Sequence, residues 1–132
     1  MQKTNFLAYA ICALMFVLML ASAWNDSAIM DELPHIPAVY SYMRYQDYRL
    51  NPEHPPLIKD LAALPLLLLQ PHFPRDTKFW QDDINGQWDQ GRVFLYESGN
   101  NPDRIIFLAR LPIMLLAVFF GWLMFQFSKK RF

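Results

Sequence analysis

Two long apolar runs bracket a polar, proline-rich middle in this chain. Residues 6–24 carry no charge, and residues 111–127 carry none either. With the apolar turn that begins at Ile105, the second run reaches the length of about 20 residues that a helix needs to cross roughly 30 Å of hydrocarbon. The pattern predicts transmembrane helices over 6–24 and 105–127, with a loop over 25–104 between them. Inside the loop the segments are short. Pro34 and Pro37 punctuate a helix expected over 37–48, with Pro37 in its first turn, where no amide hydrogen is needed. Pro55 and Pro56 start a second, over 56–70. Its greasy part, 61–69, is too short to span and contains Pro65, so it should lie in the interface or pack against the spans. A third is expected near 87–97, within a stretch where Phe73, Phe79, Trp80, Trp88 and Phe94 suggest an interfacial layer and Gly86 and Gly99 mark breaks. Asn101-Pro102-Asp103 offers a capping side chain, a first-turn proline and an acid suited to the helix dipole. The last helix should therefore run from about Pro102 to about Lys129.

The predicted fold class is thus an all-α membrane protein, with two transmembrane helices joined by a long external loop that carries short interfacial helices. Charge orients it. Basic and acidic residues balance at 12 each, but every acid falls between Asp26 and Asp103, whereas Lys3, Lys129, Lys130 and Arg131 flank the spans. That is the positive-inside pattern. It puts residues 1–5 and 128–132 in the cytoplasm and the loop on the periplasmic or outer side of a cell (inner) membrane. Lys3, the apolar core and Ala21-Ser22-Ala23 also fit a cleavable signal peptide. The run continues through Trp24, an interfacial type of residue, and is long for a signal core, which favours an uncleaved anchor. The one cysteine, Cys12, excludes a disulfide within the chain. Without a glycine-rich phosphate loop, a paired CxxC or a basic stripe, soluble nucleotide enzymes and nucleic-acid modules lack their usual tools here.

Candidate chemistry concentrates in residues 31–59, which hold the adjacent acids Asp31 and Glu32, two histidines, His35 and His54, and five of the ten prolines. Asn51-Pro52-Glu53-His54-Pro55-Pro56 is a stiff turn, because each proline fixes its own φ and restricts the residue before it. Tyr40, Tyr42, Tyr45 and Tyr48 suit either an interface, with hydroxyls reaching water or headgroups, or sugar stacking. Arg110 lies inside the second span, where a cation is costly. It either snorkels to the outer headgroups or binds a phosphate at that surface. Structural alternatives stand beside these roles, since an acid at a helix entry can be a cap and a histidine can be a hydrogen-bonded side chain. Glu53 is expected to be solvated, and His72 has no evident partner.

Asp31-Glu32 followed by His35, a short aromatic helix, then His54-Pro55-Pro56-Leu57 and Lys59 resembles the first external loop of the protein O-mannosyltransferases. It equally resembles their bacterial relatives of the GT-C superfamily, such as the transferase that adds aminoarabinose to lipid A. Arg110-Leu111-Pro112 at the head of the second span is similar to their pattern as well. The resemblance implies an integral-membrane glycosyltransferase that moves a sugar from a polyprenyl-phosphate carrier to an acceptor hydroxyl, with inversion. In that chemistry a carboxylate takes the acceptor's proton, which Asp31 would do, with Glu32 as the second catalytic acid. The leaving group is an anionic phosphate, so cations that hold it help more than an acid; Lys59, Arg44 and Arg110 are the candidates. His35, His54 and Tyr40 would support the base or bind substrate, and Glu32 and His35 could hold a divalent metal. Membrane lipid is an implied partner and nucleic acid is not. The resemblance covers essentially the whole chain but only the first part of a family member, and full-length relatives have many more spans. The chain is therefore expected to be a fragment, inactive alone, in which Arg110 and the 61–69 helix need partners that two spans can hardly supply. The competing reading is a non-catalytic two-span protein that docks through its external loop.

The topology is directly measurable. Reporters fused at Met1 and after Phe132 should report the cytoplasm, and one inserted near Gly86 should report the outside. A mature chain that starts at Trp24 would replace this reading with the signal-peptide one.

Overall fold

The computed structural model describes residues 2–83 and 85–131, and only the backbone of Gln2, Lys3 and Arg131. Met1, Phe132 and the side chains of Lys3 and Arg131, which enter the topology argument, lie outside the described residues. The elements are α1 (Gln2–Ala23), α2 (Glu32–Tyr45), α3 (Pro56–Leu69), α4 (Lys78–Gln81), α5 (Gln87–Arg92) and α6 (Pro102–Arg131), with a π turn at Val93–Glu97 continuing α5. No strand occurs among the described residues. The chain is all-helical, and α1 and α6 are long and apolar enough to cross a membrane. Of their most apolar windows only 6% and 22% of residues are buried, so neither serves as the core of the molecule.

Most of the core lies instead between them in sequence, joined by Ile105, Ile106 and Ala109 from the head of α6. α2 packs on α3 and α5, α3 packs on α6, and α6 packs on α1. Tyr40, Leu66, Phe94, Leu95, Ile105 and Ile106 are fully buried where these elements meet. The rings of Tyr40 and Phe94 stack at 5.8 Å, and Phe73 lies 5.3 Å from Phe94 and 5.0 Å edge-on to Trp80. Offset and edge-to-face contacts of this kind add about 0.5–1.5 kcal/mol per pair beyond the area they bury. The stretch 25–101 is accordingly a folded unit with its own aromatic core. Phe73, Trp80 and Phe94 are inside it rather than in an interfacial layer, while Trp88 remains exposed.

Local chemistry explains where the helices begin. α2 starts more than a turn before the expected 37–48, at Glu32, because the Glu32 carboxylate reaches back to the Ile29 amide at 2.9 Å and the Glu32 amide bonds the Ile29 carbonyl at 3.0 Å. Pro34 then occupies the first turn without loss, as no intrahelical amide bond is available there. Pro37 sits deeper and has no N–H to offer the Leu33 carbonyl. Gly91 packs against that carbonyl so closely that a Cβ at this position would lie 1.9 Å from the Leu33 oxygen. α2 stops at Tyr45 because Gln46 turns left-handed (φ 55°) and its amide closes on the Tyr42 carbonyl at 3.0 Å. At the head of α6 the Asn101 side chain accepts the Arg104 amide at 3.0 Å, the cap that its sequence offers.

Two expectations change. The 61–69 helix finds its partners within the chain: Ala63 and Leu66 are fully buried between α2 and α6, although Leu64 and Leu68 stay exposed. His72 is also engaged. Its amide donates to Asn100 Oδ1 at 2.9 Å, Asn100 Nδ2 returns a bond to the His72 carbonyl at 2.8 Å, and its ring Nδ1 lies 3.3 Å from the Ser98 carbonyl.

Gly91→Ala should destabilise the α2–α5 contact by about 1–3 kcal/mol, the usual cost of forcing a methyl into filled space. Chemical unfolding in detergent measures it. An unchanged midpoint would mean that α5 does not seat on the Leu33 carbonyl.

Candidate functional site

A cavity of about 930 Å³ opens between α1, α2, α3 and α6. Its walls are apolar, with Met19 from α1, Ile36 and Val39 from α2, Ile58 from α3, and Ile113 and Met114 from α6. Its rim is polar and gathers Asp26, Glu32, His35, His54, Lys59 and Arg110. Six side chains scattered over 84 positions of sequence thus meet at one end of a greasy groove.

Arg110 is the most heavily bonded of them. Its Nε donates to Glu32 Oε1 at 2.7 Å, and one terminal nitrogen donates to Glu32 Oε2 at 2.7 Å and to the Ser27 carbonyl at 2.9 Å. The other terminal nitrogen donates to Asp26 Oδ2 at 2.9 Å. The planar fork of a guanidinium suits this two-point grip on a carboxylate. Two carboxylates thus pair with the Arg110 charge. Glu32 in turn has both oxygens occupied, by Arg110 and by the Ile29 amide. Asp26, which received no role from the sequence, completes the cluster, and nothing in its sequence context marked it.

Lys59 is held differently. Its ammonium donates to the Asn51 carbonyl at 3.0 Å and to the Asn51 side-chain oxygen, and lies 5.5 Å from the centre of the Tyr42 ring. Among the described residues it forms no ion pair. Burial lowers its pKa, with Glu53 and Asp60 opposing from a distance. Tyr42 supports the same turn, its one hydroxyl hydrogen shared between the Leu50 carbonyl and the Asn51 carbonyl, the latter at 2.7 Å. Burial pushes that phenol up to about 12.

The two histidines meet edge to face at 5.1 Å between ring centres. Nδ1 of His35 is buried and has no hydrogen-bond partner among the described residues. Burial holds the His35 imidazole below its ordinary pKa of 6.5; the Lys59 ammonium and His54 add to this, while Asp31 and a hydrogen bond to Asn51 oppose it. Asp31 itself is exposed at the N-terminus of α2, where its side chain makes no capping bond. It does not line the cavity, but it directly precedes Glu32 and lies one turn before His35, both of which do.

Tyr40 and Arg44 do not join this site. Tyr40 is 2% exposed and packed among Phe73, Phe94 and Tyr45, because it lies on the face of α2 that meets α5. Arg44 is exposed in the last turn of α2, at the end away from Asp31. Asn51, by contrast, is central, and the sequence showed it only as part of a stiff turn. Among the described residues no group of three or more His, Cys, Asp or Glu side chains is placed to hold a metal ion. Comparisons with family models, with curated proteins and with solved structures return no match to this chain.

Two measurements check this geometry. Arg110→Gln should cost about 1–3 kcal/mol, less than for a fully buried pair, because Asp26 remains half in solvent. Adding Glu32→Gln should recover part of that loss, and strict additivity of the two would dissolve the pairing. For His35, a folded pKa below 6.5 means that the unfolded chain binds the proton more readily. Its contribution is present above pH 6.5 and lost as pH falls toward the folded value. Unfolding midpoints from pH 8 to pH 5 should therefore fall more steeply for the wild type than for His35→Gln; equal slopes would rule out a depressed His35.

Proposed function

We propose that this chain carries the donor and base half of the active site of an integral-membrane inverting glycosyltransferase. In this reading a polyprenyl-phosphate-linked sugar is the donor and a hydroxyl the acceptor. The observation that carries the reading is the pairing of an apolar groove of about 930 Å³ with a rim that presents Lys59, which has no ion-pair partner among the described residues. A prenyl chain asks for such a groove and its phosphate for such a cation. The motif resemblance of residues 31–59 to the O-mannosyltransferase and aminoarabinose transferase loops supports the same assignment. The exposed apolar faces of α1 and α6 fit a lipid surround, with Arg110 and the rim at the outer side of a cell membrane.

Within this reading the two acids separate. Glu32 is neutralised by Arg110, so it positions the 29–32 turn, while the uncapped Asp31 carboxylate is free to act as the general base. Asp31 accepts the proton of the acceptor hydroxyl as that oxygen bonds the anomeric carbon. The bond from the anomeric carbon to the phosphate oxygen breaks, its electron pair stays on the phosphate, and Lys59 stabilises the charge. Attack from the face opposite the phosphate gives inversion.

In the protein that carries this segment, Asp31→Asn should lower transfer on the order of 100- to 10,000-fold, with donor binding retained. Lys59→Ala should weaken donor use, and Glu53→Gln should be nearly silent, since its amide oxygen can still accept the bonds that Asn51 and Gln87 now give to Glu53. The assay is sugar release from a polyprenyl-phosphate donor. Near-normal turnover in Asp31→Asn with loss in Glu53→Gln would move the base to the other carboxylate.

A further inference from the structure

Both hydrogen bonds that Lys59 makes run to one residue. Asn51 is 4% exposed and left-handed (φ 54°), a conformation that asparagine tolerates better than most side chains. Its amide nitrogen donates to Gln87 Oε1 at 2.7 Å and to Glu53 Oε1 at 3.2 Å. With both N–H bonds taken, the amide can offer only its oxygen toward the cavity, and that oxygen together with the Asn51 carbonyl receives the Lys59 ammonium. The carbonyl is in turn fixed by the Tyr42 hydroxyl at 2.7 Å. All of these acceptors on Lys59 are neutral.

The contrast with Arg110 gives this arrangement its meaning. Both cations line the same rim, yet one is saturated by carboxylates and the other is anchored without being neutralised. We infer that Asn51 is the positioning residue of the donor-phosphate site, holding Lys59 at the rim by neutral oxygens so that its charge stays available to an incoming phosphate. This rests on the transferase reading for the identity of the ligand, but not for the coupling between Asn51 and Lys59, which exists without any ligand. Gln87 acts one step further back, by fixing which way the Asn51 amide points.

The test uses the full chain in detergent micelles. Asn51→Asp keeps shape and tolerance of the left-handed backbone while setting a carboxylate against the ammonium. The Lys59 titration midpoint, followed by NMR of lysine labelled at the ε-carbon and assigned with Lys59→Arg, should rise by about one pH unit or more. Affinity for polyprenyl phosphate should fall about tenfold, while binding of the uncharged polyprenol stays as in wild type. Gln87→Met, at the periphery, adds no charge; it should weaken phosphate binding about two- to tenfold, the worth of one hydrogen bond, and leave the Lys59 midpoint in place. An unmoved Lys59 midpoint in Asn51→Asp overturns the inference, and so does equal loss of phosphate and polyprenol binding. If the midpoint moves but the wild type binds no polyprenyl phosphate, the donor assignment falls and the phosphate-site role with it, while the Asn51–Lys59 coupling stands.

Discussion

One guanidinium organises the molecule around it. Arg110 sits two turns into α6, a helix otherwise uncharged from residue 105 to residue 127. A cation in such a position must meet counter-charge or leave the apolar layer. The chain answers with Asp26 and Glu32, one from the segment just after α1 and one from the first turn of α2. Satisfying Arg110 therefore fixes how the chain turns from α1 into α2, and lays that turn against α6. Because Glu32 also receives the Ile29 amide, the same interaction sets the start of α2 and hence the place of Asp31 just before its first turn.

Ion pairing and neutral anchoring divide the labour at the rim. A carboxylate that accepts two guanidinium bonds has little capacity left as a base, and a guanidinium held by two carboxylates has little field left for a third anion. The Arg110 cluster is thus best suited to holding helices together. Among the described residues, Lys59 and Asp31 form no ion pair.

The sequence disclosed the periodic and punctuated parts and hid those that depend on contacts across the chain. Pro55-Pro56 before an apolar run placed a helix over 56–70, and the structure has Pro56–Leu69. Asn101-Pro102-Asp103 likewise marked the start of α6. Pro37 misled, because its fit to a first turn hid the fact that the Glu32–Ile29 turn closes earlier and that Gly91 occupies the space beside the Leu33 carbonyl. Tyr40 resembled its neighbours on paper; only the packing of α5 on α2 decides that it is core. Asp26 carried no local signal, and Asn51 showed only as part of a stiff turn. Their importance comes from partners 84 and 36 positions away, a separation that no window of sequence reports.

The aromatic core of the middle segment supports the rim from the side opposite Arg110 and α6. Tyr40, Phe73, Trp80 and Phe94 lock α2 to the 72–97 stretch, and Gln90 bonds both Thr77 and the Pro74 carbonyl from a fully buried position. Gln87, one turn earlier on α5, is carried by that same packing to the Asn51 amide. The orientation of a single amide, and through it the reach of Lys59, is thereby tied to a hydrophobic cluster that does not line the cavity at all. Groups meant to meet charge at an apolar surface need such backing, since a long lysine chain left to itself would sample many rotamers and hold none of them.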